Sequence, residues 1–98
     1  MAIRVLLSAR AVADLERLVE FLEPNAPEAA AELEELLLSA LRVLRRHPLV
    51  GRSVSPPLRE LVISYGKTGY LALYVFDARR RRVVVHAIRH QREAGYPG

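Results

Sequence analysis

The sequence contains no cysteine. Disulfide bridges and zinc-thiolate sites are thereby excluded, and the fold must stand on packing alone. Lysine is almost absent too: Lys67 is the only one, so arginine carries nearly all the positive charge. No apolar run approaches the ~20 residues that a membrane-spanning helix needs. The N-terminus has no basic flank followed by an apolar stretch and a small-residue cleavage site, so no secretory signal is read there. The histidines His47, His86 and His90 have no ligand-like spacing with carboxylates, and neither a metal nor another cofactor is expected. There is no internal repeat, and the only low-complexity tract is Arg79–Arg82. The expectation is a soluble cytoplasmic protein with no membrane association.

What is present fits one domain over residues 1–98. Half of the residues are apolar (51%) and 27% are charged, a globular and not a disordered balance. The charge is split along the chain. Residues 1–41 carry three arginines against eight carboxylates, net −5; residues 42–98 carry twelve basic groups against Glu60, Asp77 and Glu93, net +9. An acidic first half and a basic second half imply an acidic partner on the basic side, either nucleic acid or an acidic protein segment.

Ile3–Leu7 is β-branched and apolar, which predicts a first strand. Ser8 is placed to cap a helix beginning near Ala9, in which Val12, Leu15, Leu18, Val19 and Leu22 recur at helical spacing. Pro24-Asn25-Ala26-Pro27 ends it, and Pro27 suits the first turn of a second helix reaching about Arg46. That helix has Leu33, Leu36, Leu37, Leu41 and Leu44 as a stripe, with glutamates early and Arg42, Arg45 and Arg46 late, as the helix dipole favours. The short break makes the two helices an antiparallel hairpin covering a sheet. His47–Pro57 reads as a connector or a functional loop, with Arg52 its only charged residue beyond the helix end. Strands follow at Leu58–Tyr65, Tyr70–Phe76 and Arg82–Arg89, separated by turns at Gly66–Gly69 and Asp77–Arg81. The predicted class is α+β, in the order β-α-α-β-β-β: a small, mainly antiparallel sheet with a helical hairpin on one face. Helices on one face only would leave Tyr70, Tyr74 and Phe76 facing solvent, and exposed aromatic surface marks an interaction site.

The element order and five local strings resemble the RelE/ParE superfamily of bacterial type II toxin–antitoxin toxins. The strings are Ser8-Ala9-Arg10-Ala11-Val12-Ala13-Asp14-Leu15, His47-Pro48 with Gly51-Arg52, Leu58-Arg59-Glu60-Leu61, Gly69-Tyr70-Leu71-Ala72-Leu73-Tyr74, and Ala87-Ile88-Arg89-His90-Gln91-Arg92-Glu93-Ala94-Gly95-Tyr96. They span essentially the whole chain. The resemblance implies a toxin neutralised by a cognate antitoxin, of ParD or RelB type, laid over the toxin. Tyr70, Tyr74, Phe76, Arg59 and Arg89 are the residues expected to contact it.

Two activities divide the superfamily. RelE-like members are ribosome-dependent messenger RNA endoribonucleases, whereas ParE-like members poison DNA gyrase without chemistry of their own. Cleavage through a 2′-hydroxyl needs a base, a cation for the phosphorane and an acid for the leaving oxygen. The residues available for this are Glu60 or His90 as base, Arg59 and Arg89 as cations, and His90 or Tyr96 as acid. Ribonuclease members commonly carry an arginine at the position of Leu71, and several lysines where this chain has only Lys67. An apolar side chain cannot stabilise a phosphorane. The resemblance therefore points to the ParE branch: gyrase inhibited by protein binding, with Arg89, His90, Arg92 and Tyr96 as target contacts and no enzymatic activity. The endoribonuclease and a non-catalytic nucleic-acid-binding module are the alternatives. Arg79–Arg82 reads as a solvated hairpin tip or as a phosphate contact.

Overall fold

A computed structural model describes residues 2–96. Strand β1 (Arg4–Leu7) leads into helix α1 (Ala9–Leu22) and helix α2 (Pro27–Val43); strands β2 (Arg52–Ser55), β3 (Leu58–Tyr65), β4 (Thr68–Asp77) and β5 (Arg82–His90) follow. Ser8 caps α1 as expected, its Oγ accepting the Ala11 N–H at 3.1 Å and donating to the His86 carbonyl at 3.0 Å. Pro27 opens α2. This helix ends at Val43, and Leu44, Arg45 and Arg46 continue as tighter turns bonded three residues back. The connector contains a strand that periodicity did not reveal. β2 is only four residues long with all four exposed, so it has no alternating apolar pattern to announce it.

The strands form one five-stranded sheet in the order β1-β5-β4-β3-β2. Only β1–β5 is parallel, with Arg4 opposite Arg82 and Leu7 opposite Val85; the other pairs are antiparallel. In β5 the register slips between the Val85–Tyr74 and Ala87–Leu73 pairs, leaving His86 as an extra residue. A one-residue bulge reverses which side chains face in. Val83 and Val85 therefore share a face with Ile88 and His90, a change that strict alternation along β5 does not allow.

The core lies between this face and the helices. Leu18, Leu33, Leu37, Leu41 and Leu44 pack onto Ile63, Tyr70, Ala72, Tyr74, Val83, Val85 and Ile88. Tyr74 is wholly buried and Tyr70 is 6% exposed, while Phe76 is half-buried against the same cluster. The expected solvent-facing aromatic surface is thus corrected. The larger rings fill the deep space under the helical hairpin, where they remove most apolar area from water. The uncovered face carries Leu58, Val62, Leu73, Val75 and Val84 instead, with Val62 56% exposed. No helix among the described residues is long and apolar enough to cross a membrane.

Candidate functional site

Arg59 and Glu60 are consecutive strand residues, so their side chains leave β3 on opposite faces. Arg59 points to the helix side. Its Nη1 donates to the carbonyls of Leu49 (3.1 Å) and Gly51 (2.7 Å), which pins the segment between α2 and β2. The Gly51 N–H in turn donates to the Tyr74 hydroxyl at 2.8 Å. A Cβ at Gly51 would stand 2.6 Å from that ring and hydroxyl, so only glycine lets the backbone approach this closely. Arg59 Nη1 and the two carbonyls are thus engaged in holding the loop.

Glu60 lies on the opposite face, only 5% exposed. Arg52, directly across the β2–β3 hairpin, donates to its Oε1 from Nε (3.1 Å) and Nη2 (2.5 Å). The Tyr96 hydroxyl donates to Oε2 at 2.7 Å. The Arg89 guanidinium sits 5.1 Å from the Tyr96 ring centroid, and its Nη1 donates to the Glu93 carbonyl at 2.7 Å. Burial alone would raise the Glu60 pKa. The hydrogen bonds from Tyr96 and Arg52 and the charges of Arg52 and Arg89 outweigh it and hold the carboxyl below its ordinary value. Burial and the neighbouring carboxylate push the Tyr96 phenol up, against the opposing charge of Arg89. The result is an ionised carboxylate with both oxygens engaged and a phenol reluctant to release its proton. As a base the first is weak, and as an acid so is the second.

His90 faces the helices, beside Tyr70, with ring centroids 5.0 Å apart in an edge-to-face arrangement. The Arg92 N–H donates to Nδ1 at 3.1 Å, which assigns the proton of the neutral ring to Nε2. That Nε2–H then donates to Thr68 Oγ1 at 2.5 Å. Neither nitrogen is free. Glu93 closes the turn, its Oε1 accepting the His90 N–H (2.8 Å) and its Oε2 an Arg17 Nη1 proton (3.0 Å). Arg17 also approaches buried Asp14 at 3.6 Å, and Asp14 accepts the Ile88 N–H at 2.9 Å. Between α1 and these strand ends opens a cavity of 810 Å³, lined by Leu18, Phe21, Leu22, Tyr65, Tyr70 and His90 among others. Burial, with Tyr65 and Glu93 nearby, raises the Tyr70 pKa.

Of the residues singled out in the sequence, Glu60, Arg89 and Tyr96 meet on the uncovered face. Arg59 and His90 lie on the other face, at separate places, and Arg92 is exposed on the C-terminal turn. The sequence reading missed Arg52 as the partner of Glu60. A hairpin signal was available in Ser55-Pro56-Pro57, which forms the turn with a cis Pro56–Pro57 peptide. It also missed Arg17 and Phe21 at the cavity. Phe21 is 83% exposed, an apolar side chain on the polar side of α1 that helical periodicity discards as noise.

Residues 5–95 match the family model described as the ParE toxin of the type II toxin–antitoxin system parDE. Two curated proteins of Caulobacter vibrioides are similar. Toxin RelE1 is 43% identical over 74 residues, which is 76% of this chain and 80% of that protein. Toxin RelE3 is 41% identical over 89 residues, 89% of this chain and 92% of that one. Among solved structures, the chromosomal ParDE system of P. aeruginosa matches with a TM-score of 0.74 at 17% identity, over 90% of this chain and 95% of that one. The RelBE2 toxin–antitoxin complex of Mycobacterium tuberculosis matches with a TM-score of 0.59 at 26% identity, over 93% and 100%.

Proposed function

The chain belongs to the ParE toxin family of type II toxin–antitoxin systems, and from that premise we propose that it acts by binding DNA gyrase and performs no chemistry itself. One observation carries the choice. The groups that an RNA-cleaving site would need do not converge on a common space: Glu60 and Tyr96 are bonded to each other, His90 is on the far face with both nitrogens engaged, and Arg59 holds backbone carbonyls. Leu71, where ribonuclease members carry an arginine, lies opposite Arg89 and is 8% exposed. Arg89 and Tyr96 on the uncovered face, His90 at the end of β5 and Arg92 on the turn after it are the proposed target contacts. A cognate antitoxin keeps the protein inactive, its acidic residues matching the basic strand half, with Arg59, Arg89 and Phe76 at the margins of the covered area. Tyr70 and Tyr74 drop out of that role because they are buried.

The endoribonuclease remains the second reading, favoured by the placement of Glu60, Arg52, Arg89 and Tyr96 together on the uncovered face, although without Arg59 and His90. Inducible expression in a bacterial host, with and without the adjacent gene, separates the two. Gyrase–DNA cleavage complexes with intact messages support gyrase. Early cleavage of ribosome-bound messages, abolished by Tyr96→Phe with antitoxin affinity unchanged, overturns it.

A further inference from the structure

Three segments far apart in the sequence bring their arginines to one end of the molecule. Arg4 stands directly beside Arg82 in the parallel β1–β5 pair. The C-terminal end of α2 approaches the same place, since Arg42 and Arg45 line one cavity with Arg4, and Arg46 lines a neighbouring one with Ala2 and Ile3. The β4–β5 hairpin adds Arg79, Arg80 and Arg81 at its tip. Two carboxylates pair with arginines of this group: Asp77, which fixes the hairpin by accepting the Arg80 N–H (3.1 Å) and its Nη1 (3.0 Å), and Glu35, 3.8 Å from Arg42. Seven of the eight arginines are exposed; Arg82 is half-buried, and its Nε is buried with no hydrogen-bond partner among the described residues. Arginine is a far stronger match to phosphate than its number alone suggests, because each guanidinium offers a planar fork of donors.

We infer that this end is a contact surface for the phosphodiester backbone of a nucleic-acid duplex. The composition of the surface selects that partner. Bases of an unpaired strand are held by aromatic stacking, and no aromatic side chain lies on the hairpin tip; Phe76, the nearest in sequence, packs on the core. An acidic peptide would be anchored by apolar side chains in pockets between the charges; Val5, Leu38 and Leu41 give the cavity beside Arg4, Arg42 and Arg45 such a lining, whereas the exposed tip from Ala78 to Arg81 offers only guanidinium groups and one methyl, so the choice of a duplex rests on the tip. Backbone recognition without base contacts is independent of sequence and rests on counterion release. The surface lies about 20 Å along β5 from Arg89 (seven residues at ~3.3 Å each, less the bulge), so a duplex and a protein target can be engaged together. It does not depend on which target the toxin has.

The test is fluorescence anisotropy of the full chain with a short labelled DNA duplex, and in parallel with an RNA duplex and labelled polyglutamate, over a range of salt. The variant is Arg45→Gln/Arg46→Gln/Arg79→Gln, and Lys67→Gln, exposed at the opposite end, is the charge control. Releasing about 0.9 counterion per arginine, the three substitutions remove a factor of roughly 40 from the affinity lost between about 50 and 200 mM salt. Binding to the DNA or RNA duplex that weakens and flattens in this way in the triple variant, but not in Lys67→Gln, supports the surface; the two arms say whether it prefers one duplex. Equal duplex binding by wild type and triple variant, equal loss in the control, or binding to polyglutamate alone overturns it. Unchanged thermal melting of the triple variant confirms that the comparison is between folded proteins.

Discussion

Glu60→Gln tests whether the Arg52–Glu60–Tyr96 arrangement is a structural tie. The carboxylate accepts two guanidinium protons on Oε1 and a phenol proton on Oε2. An amide has only one acceptor oxygen, so its NH₂ must oppose either Arg52 or Tyr96. Arg52 is 67% exposed in its side chain and turns to water when released, so no ion is stranded. The cost is then that of charge-assisted hydrogen bonds at a buried acceptor, about 2 kcal/mol, below the 3–5 kcal/mol of a fully buried pair. For a domain of this size that corresponds to a fall in Tm of roughly 10 °C at neutral pH.

The same argument fixes a pH dependence. Glu60 has its folded pKa below the ordinary 4.5, so the folded state holds its proton less readily than the unfolded chain. The associated stability is present above the unfolded value and is lost as pH falls through the folded one. Thermal unfolding followed by circular dichroism should therefore show wild type and Glu60→Gln far apart at pH 7 and converging as the pH drops below about 4.5. A gap of the same size at neutral and acid pH, or none at pH 7, would refute the reasoning.

Three other outcomes are expected. Gly51→Ala places a Cβ 2.6 Å from the Tyr74 ring and 2.9 Å from the Glu60 carbonyl oxygen, and urea unfolding should show a loss of about 1–3 kcal/mol. Asp14→Ala leaves the buried Ile88 N–H unpaired and lowers stability by about 1–3 kcal/mol in the same assay. Phe21→Ser, at a side chain almost wholly in solvent, should leave stability within about 0.5 kcal/mol; a larger loss would mean the ring packs on the body of the protein.

The helices were legible because their signals are local: Ser8 and Pro27 mark the starts, and leucine spacing marks the buried stripe. The long strands were legible for the same reason. The faces were not. Periodicity establishes that Tyr70, Ala72 and Tyr74 share a side of β4, but not which side the helices cover. In β5 the bulge at His86 changes the phase midway, and nothing in Val83-Val84-Val85-His86-Ala87 announces it. The site suffered likewise. Arg59 and Glu60 look like one motif in the sequence, and strand geometry sends them apart; Arg52 and Glu60 look unrelated, and the hairpin joins them.

The parallel pairing of β1 with β5 also sets an order of assembly. β1 is an edge strand whose sole neighbour in the sheet is β5, and the contact between Ser8 and His86 spans 78 residues. A nascent chain ending before Arg82 has both helices and β2–β4 but lacks β5, the inner strand that joins β1 to the rest of the sheet. Loop closure of this length comes late and cannot be replaced by local structure. The full sheet can therefore form only once β5 has been synthesised.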